Sequence, residues 1–132
     1  MFFGVGETWY AKPDAGALLI SPADEDATEP QDAWADDMVL AEGLERYQNM
    51  VAVPLTKPIA TWAGLRSFAV DRTLVLGPDP AQPDFIWSAG QGGYGFQTSA
   101  AASQLVADLT LGNAPSLPDP VVEALRPDRL RA

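Results

Sequence analysis

The chain has 132 residues, with 18 acidic and eight basic side chains and a formal net charge of −10, which argues against nucleic acid and anionic membrane as partners. It holds no cysteine and no histidine, which removes disulfide frameworks, zinc ribbons, thiol chemistry, Ser-His-Asp triads and the commonest metal ligand. A hydrophobic fraction of 47% is enough to pack a core in one domain's worth of chain, or in a piece of a larger one.

The Met1-Phe2-Phe3 start is too short, and lacks the basic flank, to be a signal peptide, and no apolar run approaches the roughly 20 residues of a membrane span. The expected location is therefore cytoplasmic. Trp9 to Lys12 and Ala17 to Ile20 read as two strands of a hairpin, with Pro13 and Gly16 suiting a type I turn between them. A polar loop follows from Pro22 to Asp32. Asp24, Glu25, Asp26, Glu29, Asp32, Asp36 and Asp37 lie in a stretch without a basic residue between Lys12 and Arg46. Their spacing is not that of a calcium-binding loop with its terminal bidentate Glu, so a solvated loop and no metal site are expected.

Asp36 and Asp37 suit the positive N-terminal end of a helix. Leu40, Leu44, Tyr47 and Val51 recur at helical spacing and predict a helix from about Asp36 to Met50 with one buried face, ended by Pro54 and Pro58. Ile59 to Phe68 alternates loosely and reads as a strand carrying Arg66. Asp71-Arg72 then makes a turn into a short strand, Leu74 to Gly77.

The most informative stretch runs from Phe85 to Gly112. Phe85, Ile86 and Trp87 form an apolar run between Pro-rich segments and glycines, the pattern of a buried strand. Gly90, Gly92, Gly93 and Gly95 give a turn that can take positive φ and approach a ligand closely. Thr98 and Ser99 are N-cap candidates for a helix through Ala101, Ala102, Leu105, Val106 and Leu109, closed by Gly112. Such a helix aims free N–H groups and a positive dipole end above the turn.

Gly90 to Gly95 also satisfies the pattern G-x-G-x-x-G, but a dinucleotide fingerprint needs a second parallel strand after the helix. The Asn113-Ala114-Pro115-Ser116-Leu117-Pro118-Asp119-Pro120 that follows cannot be a central strand. A purely structural turn and a loop touching an electron-poor or anionic part of a cofactor both remain open. Beyond the connector, Val121 to Leu125 suggests one more helical turn before a basic tail expected to fray.

Arg66 sits among Trp62, Leu65 and Phe68, and burying an arginine on such a strand demands an anionic partner. One reading is a structural ion pair with one of the chain's many acids. The other is a bidentate clamp on a substrate carboxylate, which the planar guanidinium fork suits.

Four segments occur in a telling order: Trp9-Tyr10-Ala11-Lys12-Pro13-Asp14-Ala15-Gly16, Ser21-Pro22-Ala23-Asp24, Trp62-Ala63-Gly64-Leu65-Arg66-Ser67-Phe68, and Ala89-Gly90-Gln91-Gly92-Gly93-Tyr94-Gly95-Phe96-Gln97-Thr98. Together they resemble the C-terminal part of FAD-dependent D-amino-acid oxidases and dehydrogenases, most of all the D-arginine dehydrogenase type, over about Trp9 to Arg126. The resemblance implies FAD as cofactor, an amino-acid substrate, and hydride transfer from the substrate Cα to the flavin to give an imino acid. It implies that Arg66 pairs with the substrate carboxylate, that the Tyr10 hydroxyl also reaches it, and that the Gly93 carbonyl faces the substrate nitrogen. It places Gly92, Gly93, Tyr94, Gly95, Phe96, Gln97 and Thr98 at the ring end of the flavin.

The implied fold is α+β: antiparallel strands with a packed helix, part of a substrate domain over residues 1–77, then the last strand and helix of a Rossmann-like FAD-binding domain over 78–132. The family's glycine-rich β-α-β unit for the ADP half of FAD has no counterpart in this sequence, so a complementary N-terminal FAD-binding chain is the expected partner. A non-catalytic relic and an acidic protein-interaction domain are the alternatives.

Overall fold

The computed structural model describes residues 1–131, and its packing separates Met1–Leu65 from Arg66–Ala132. Architecture is α+β, with two small antiparallel sheets and three α-helices among the described residues. No helix among the described residues is long and apolar enough to cross a membrane.

In the first unit, β1 (Phe2–Phe3), β2 (Tyr10–Asp14) and β3 (Ala17–Ser21) form a sheet in the order β1-β2-β3. Asp14 pairs with Ala17, so the hairpin loop is only Ala15 and Gly16, with φ of 45° and 82°. That is the mirror-image I′ geometry, not the expected type I turn. Its twist matches the right-handed twist of the flanking strands, and type I would splay them.

Trp9 and Ala11 turn the same way and are buried with Tyr47 of α1 (Asp37–Met50), while Ile20, Val51 and Leu55 pack around them. The Trp9 and Tyr47 rings meet edge to face at 5.2 Å, a favoured aromatic geometry. Asp36 caps α1, its Oδ1 accepting from the amides of Met38 at 2.8 Å and Val39 at 3.0 Å. Arg46 ties the helix to the sheet's flanks, donating to the carbonyls of Thr8 at 3.1 Å and Pro22 at 3.2 Å.

Gly43 is the contact point between α1 and the chain leaving β3. A Cβ placed there would stand 2.5 Å from the Pro22 Cβ. Helix propensity alone favours alanine by about 1 kcal/mol, whereas overpacking costs about 1–3 kcal/mol. Gly43→Ala is therefore expected to lower the melting temperature followed by circular dichroism. A rise in melting temperature would refute this close packing.

The strand expected over Ile59 to Phe68 does not form. A strand needs a ladder, and no strand among the described residues pairs with this stretch. Ile59 and Trp62 are accordingly exposed.

In the second unit, β4 (Val75–Pro78) pairs antiparallel with β5 (Ile86–Ala89), and α2 (Gly95–Leu111) packs on the hairpin. Val75, Leu76 and Leu105 are buried between them, and Pro127 is buried in the same unit. The expectation of a buried Phe85–Trp87 run is corrected: Phe85 is 54% and Trp87 38% exposed, their rings stacked edge to face at 5.0 Å. A strand is buried throughout only when both faces are covered, and the main helix packed on β5 is α2, on one face.

The N-cap expectation also fails. The helix starts at Gly95 with Tyr94 as its N-cap, so Thr98 and Ser99 lie inside it. Their hydroxyls bond back to the carbonyls of Tyr94 and Phe96, both at 2.8 Å. Gly112 ends the helix in the left-handed region as expected, with φ 71°.

After α3 (Asp119–Leu125), the described part of the tail, residues 126–131, is docked rather than frayed; Ala132 lies outside the described residues. Arg129 grips Asp71 with Nε at 2.7 Å and Nη2 at 3.1 Å, and donates to the Thr73 carbonyl at 2.9 Å. Asp79 accepts from the Trp87 indole at 3.0 Å, from the Ala81 amide at 2.7 Å and from Arg131 at 3.1 Å.

Both carboxyls are held below the usual aspartate range, Asp71 chiefly by the hydrogen bond from Arg129 and Asp79 chiefly by that from Trp87. Depressed folded-state values mean that the native state favours the ionised form. The stabilisation is complete above the unfolded value of about 3.9 and is lost as pH falls through the lower folded values. The melting temperature is expected to drop below about pH 4, and Asp71→Asn should flatten part of that drop. High salt should weaken the effect at Asp71, whose carboxylate is exposed, more than at the half-buried Asp79. A melting curve unchanged down to pH 2.5 would contradict these contacts.

Candidate functional site

The site is built from the turn that joins β5 to α2. Gly90 and Gly92 take positive φ, 69° and 50°, which frees the chain to reverse tightly after the strand. The segment Arg66 to Ala69 runs beside this turn, because the Gly92 amide donates to the Ser67 carbonyl at 2.9 Å. A Cβ on Gly90 would lie 3.6 Å from the Ala69 amide nitrogen.

Two consecutive glycines then make room for two side chains. A Cβ on Gly92 would stand 2.5 Å from Cε1 of Phe68, so the ring occupies the space a side chain would need. A Cβ on Gly93 would stand 3.0 Å from Nη1 of Arg66. The Arg66 guanidinium is 5.7 Å and that of Arg72 4.6 Å from the centre of the Phe68 ring, within cation–π range. Arg66 is exposed, so the desolvation reasoning for a buried arginine on a strand does not apply to it.

The same turn leads into the N-terminus of α2. Thr98 is the first residue whose amide reaches a carbonyl one helical turn back, that of Tyr94 at 3.1 Å. The amides of Gly95, Phe96 and Gln97 precede it, and no side chain caps this end. Gly93, Tyr94, Phe96 and Gln97 are exposed. Uncapped amides with a positive dipole end favour negative charge, and a guanidinium fork favours a carboxylate.

Arg66, Gly93 and the Gly92–Thr98 turn are thus brought together within the second unit. Tyr10 belongs to the first unit, half-buried on β2, with its ring 6.0 Å from that of Phe3. Beside the turn lies an open apolar depression of about 370 Å³, lined in part by Phe68, Val75, Trp87, Gly90, Pro127 and Leu130.

Phe68 was not expected at this site, since it read as one apolar residue of a strand. The available signal was the Gly92-Gly93 doublet itself: two adjacent residues without side chains imply that something else fills their space. Both sheets are antiparallel among the described residues, so Gly90–Gly95 is not part of a β-α-β pyrophosphate cradle. Residues 4–109 match a family model described as FAD dependent oxidoreductase.

Proposed function

The chain belongs to the family of FAD-dependent oxidoreductases, and from that premise we propose that it forms the substrate-facing C-terminal part of an enzyme that oxidises D-amino acids, or related amines, to imino acids. The observation that carries this reading is Arg66 seated against Gly93, beside the uncapped start of α2. The resemblance of the four motifs to the D-arginine dehydrogenase type supports the amino-acid substrate.

FAD is the family's cofactor, and when bound it supplies the acceptor for a hydride from the substrate Cα. The turn fits the ring end of that group: exposed Gly93 carries no side chain, and the amides of Gly95, Phe96 and Gln97 suit negative charge there. Gly92, Tyr94 and Thr98 complete the holding segment. The described residues contain no β-α-β unit for the ADP half, which is assigned to polypeptide outside these 132 residues, such as a complementary N-terminal FAD-binding chain.

In this reading Arg66 grips the substrate carboxylate with two parallel hydrogen bonds, and the Gly93 carbonyl accepts from the substrate nitrogen. Together they fix the Cα–H direction, the entropic part of catalysis. The imino acid then hydrolyses in water. The Tyr10 hydroxyl is assigned to the same carboxylate on the resemblance alone, and Tyr10→Phe tests it separately. The division at residue 77 into a substrate part and a flavin part belongs to the same proposal.

Flavin absorbance tests the reading. The purified chain should keep FAD through gel filtration only when combined with the polypeptide that carries the ADP-binding unit. In the combined enzyme, a D-amino acid should bleach the flavin anaerobically and its L enantiomer should not. Stoichiometric FAD on the chain alone would overturn the divided site. Failure of every D-amino acid to bleach the loaded enzyme would overturn the substrate class.

A further inference from the structure

We propose that Phe68 is the positioning residue for Arg66, its ring holding the guanidinium in place for the substrate carboxylate. This rests on the carboxylate-clamp reading above and goes beyond it, because that reading gives Phe68 no role. A two-pronged grip on a carboxylate requires one guanidinium orientation held in advance.

Three observations give Phe68 that task. Its ring is itself fixed, half-buried and pressed into the space over Gly92, with Cε1, Cδ1 and Cζ all within 3.2 Å of where a Cβ would lie. Its ring lies 5.7 Å from the Arg66 guanidinium carbon, and the negative face of a phenyl ring attracts a cation at that range. Finally, Arg66 is confined on another side, since its Nη1 is 3.0 Å from the position of a Cβ on Gly93. Ring and glycine together make a seat for the guanidinium. The amide of Gly92 bonded to the Ser67 carbonyl at 2.9 Å keeps the two sides of that seat in register.

Arg72 shares the ring, 4.6 Å from its centre, so a second positive charge lies near the same turn.

Replacing Phe68 by mono-, tri- and pentafluorophenylalanine keeps the ring's shape while weakening and then reversing the charge on its face. In the flavin-loaded enzyme, combined with its ADP-binding part, KM for the best D-amino acid should rise step by step, to about threefold to tenfold at full fluorination. Melting temperature and flavin occupancy should not change across the series, and inhibition by an amine without a carboxylate should not change either. Phe68→Leu should give a similar KM increase, and the fluorinated series decides the matter if that variant does not fold. A flat KM across the series, with Arg66→Lys still impaired, overturns the role of Phe68 and leaves the clamp standing. A flat series together with an unimpaired Arg66→Lys overturns the clamp, and the role of Phe68 with it.

Discussion

Arg66→Lys is expected to lower kcat/KM for D-amino acids by on the order of 10²-fold while flavin occupancy stays unchanged. Lysine keeps the positive charge but loses the planar fork, so the carboxylate is held at one point in place of two. The substrate can then pivot, and a shift of about 1 Å in the Cα position is enough for a loss of that size. The loss should fall on both KM and kcat, because grip and alignment come from the same pair of bonds.

A structural ion pair in place of a clamp predicts another pattern. Arg66→Ala would then reduce stability or flavin retention, with no special effect on substrates that carry a carboxylate. The exposure of Arg66 weighs against a large structural contribution, since exposed ion pairs contribute about 0–1 kcal/mol. Measuring KM, kcat and flavin occupancy on Arg66→Lys and Arg66→Ala separates the two. Unchanged kinetics in Arg66→Lys would remove the carboxylate assignment.

The parts of the fold that were legible in the sequence are those set by local pattern. The Leu40, Leu44, Tyr47 and Val51 spacing and the acidic start of α1 located that helix to within a residue, because its burial and its cap are both local signals. The hairpin was equally legible, but its turn was not. Pro13 pointed to type I, while the strand twist demanded a two-residue I′ loop with positive φ even at Ala15.

The strand through Arg66 failed for a different reason. Alternation marks a residue stretch that could line a sheet, but pairing requires a partner strand, which alternation does not supply. The same holds for Phe85 and Trp87, whose apolar character could not reveal that a covering layer on one face would be lacking among the described residues. At the site, the glycine turn and Arg66 were both visible from residue type. Their mutual fit was not, because the Phe68 ring over Gly92 is a contact between segments far apart in sequence.

Leu76→Ala should cost the second unit about 2–5 kcal/mol, the range for truncating a fully buried leucine where the core cannot collapse to fill the space. Leu76 is 1% exposed at the centre of β4, under α2, whose own buried residue Leu105 is also 1% exposed. A domain has only about 0.05–0.15 kcal/mol of stability per residue, so a loss of this size approaches all that so small a unit has. By contrast, Val70→Ala removes a side chain that is 94% exposed and should change stability by less than about 0.5 kcal/mol. Urea titration followed by circular dichroism compares the two.

The consequence for the site follows from β4's neighbours. A Cβ on Gly90 would lie 3.4 Å from the Val75 side chain, so the turn that carries Gly92 and Gly93 rests on this strand. Loosening β4 should therefore release the turn, and turnover should fall in step with the loss of structure and recover on cooling towards the temperature of greatest stability. The Arg66→Lys defect should not recover in this way, because its cause is geometry in the folded state. Full activity and an unshifted midpoint in Leu76→Ala would show that the β4 core does not support the site.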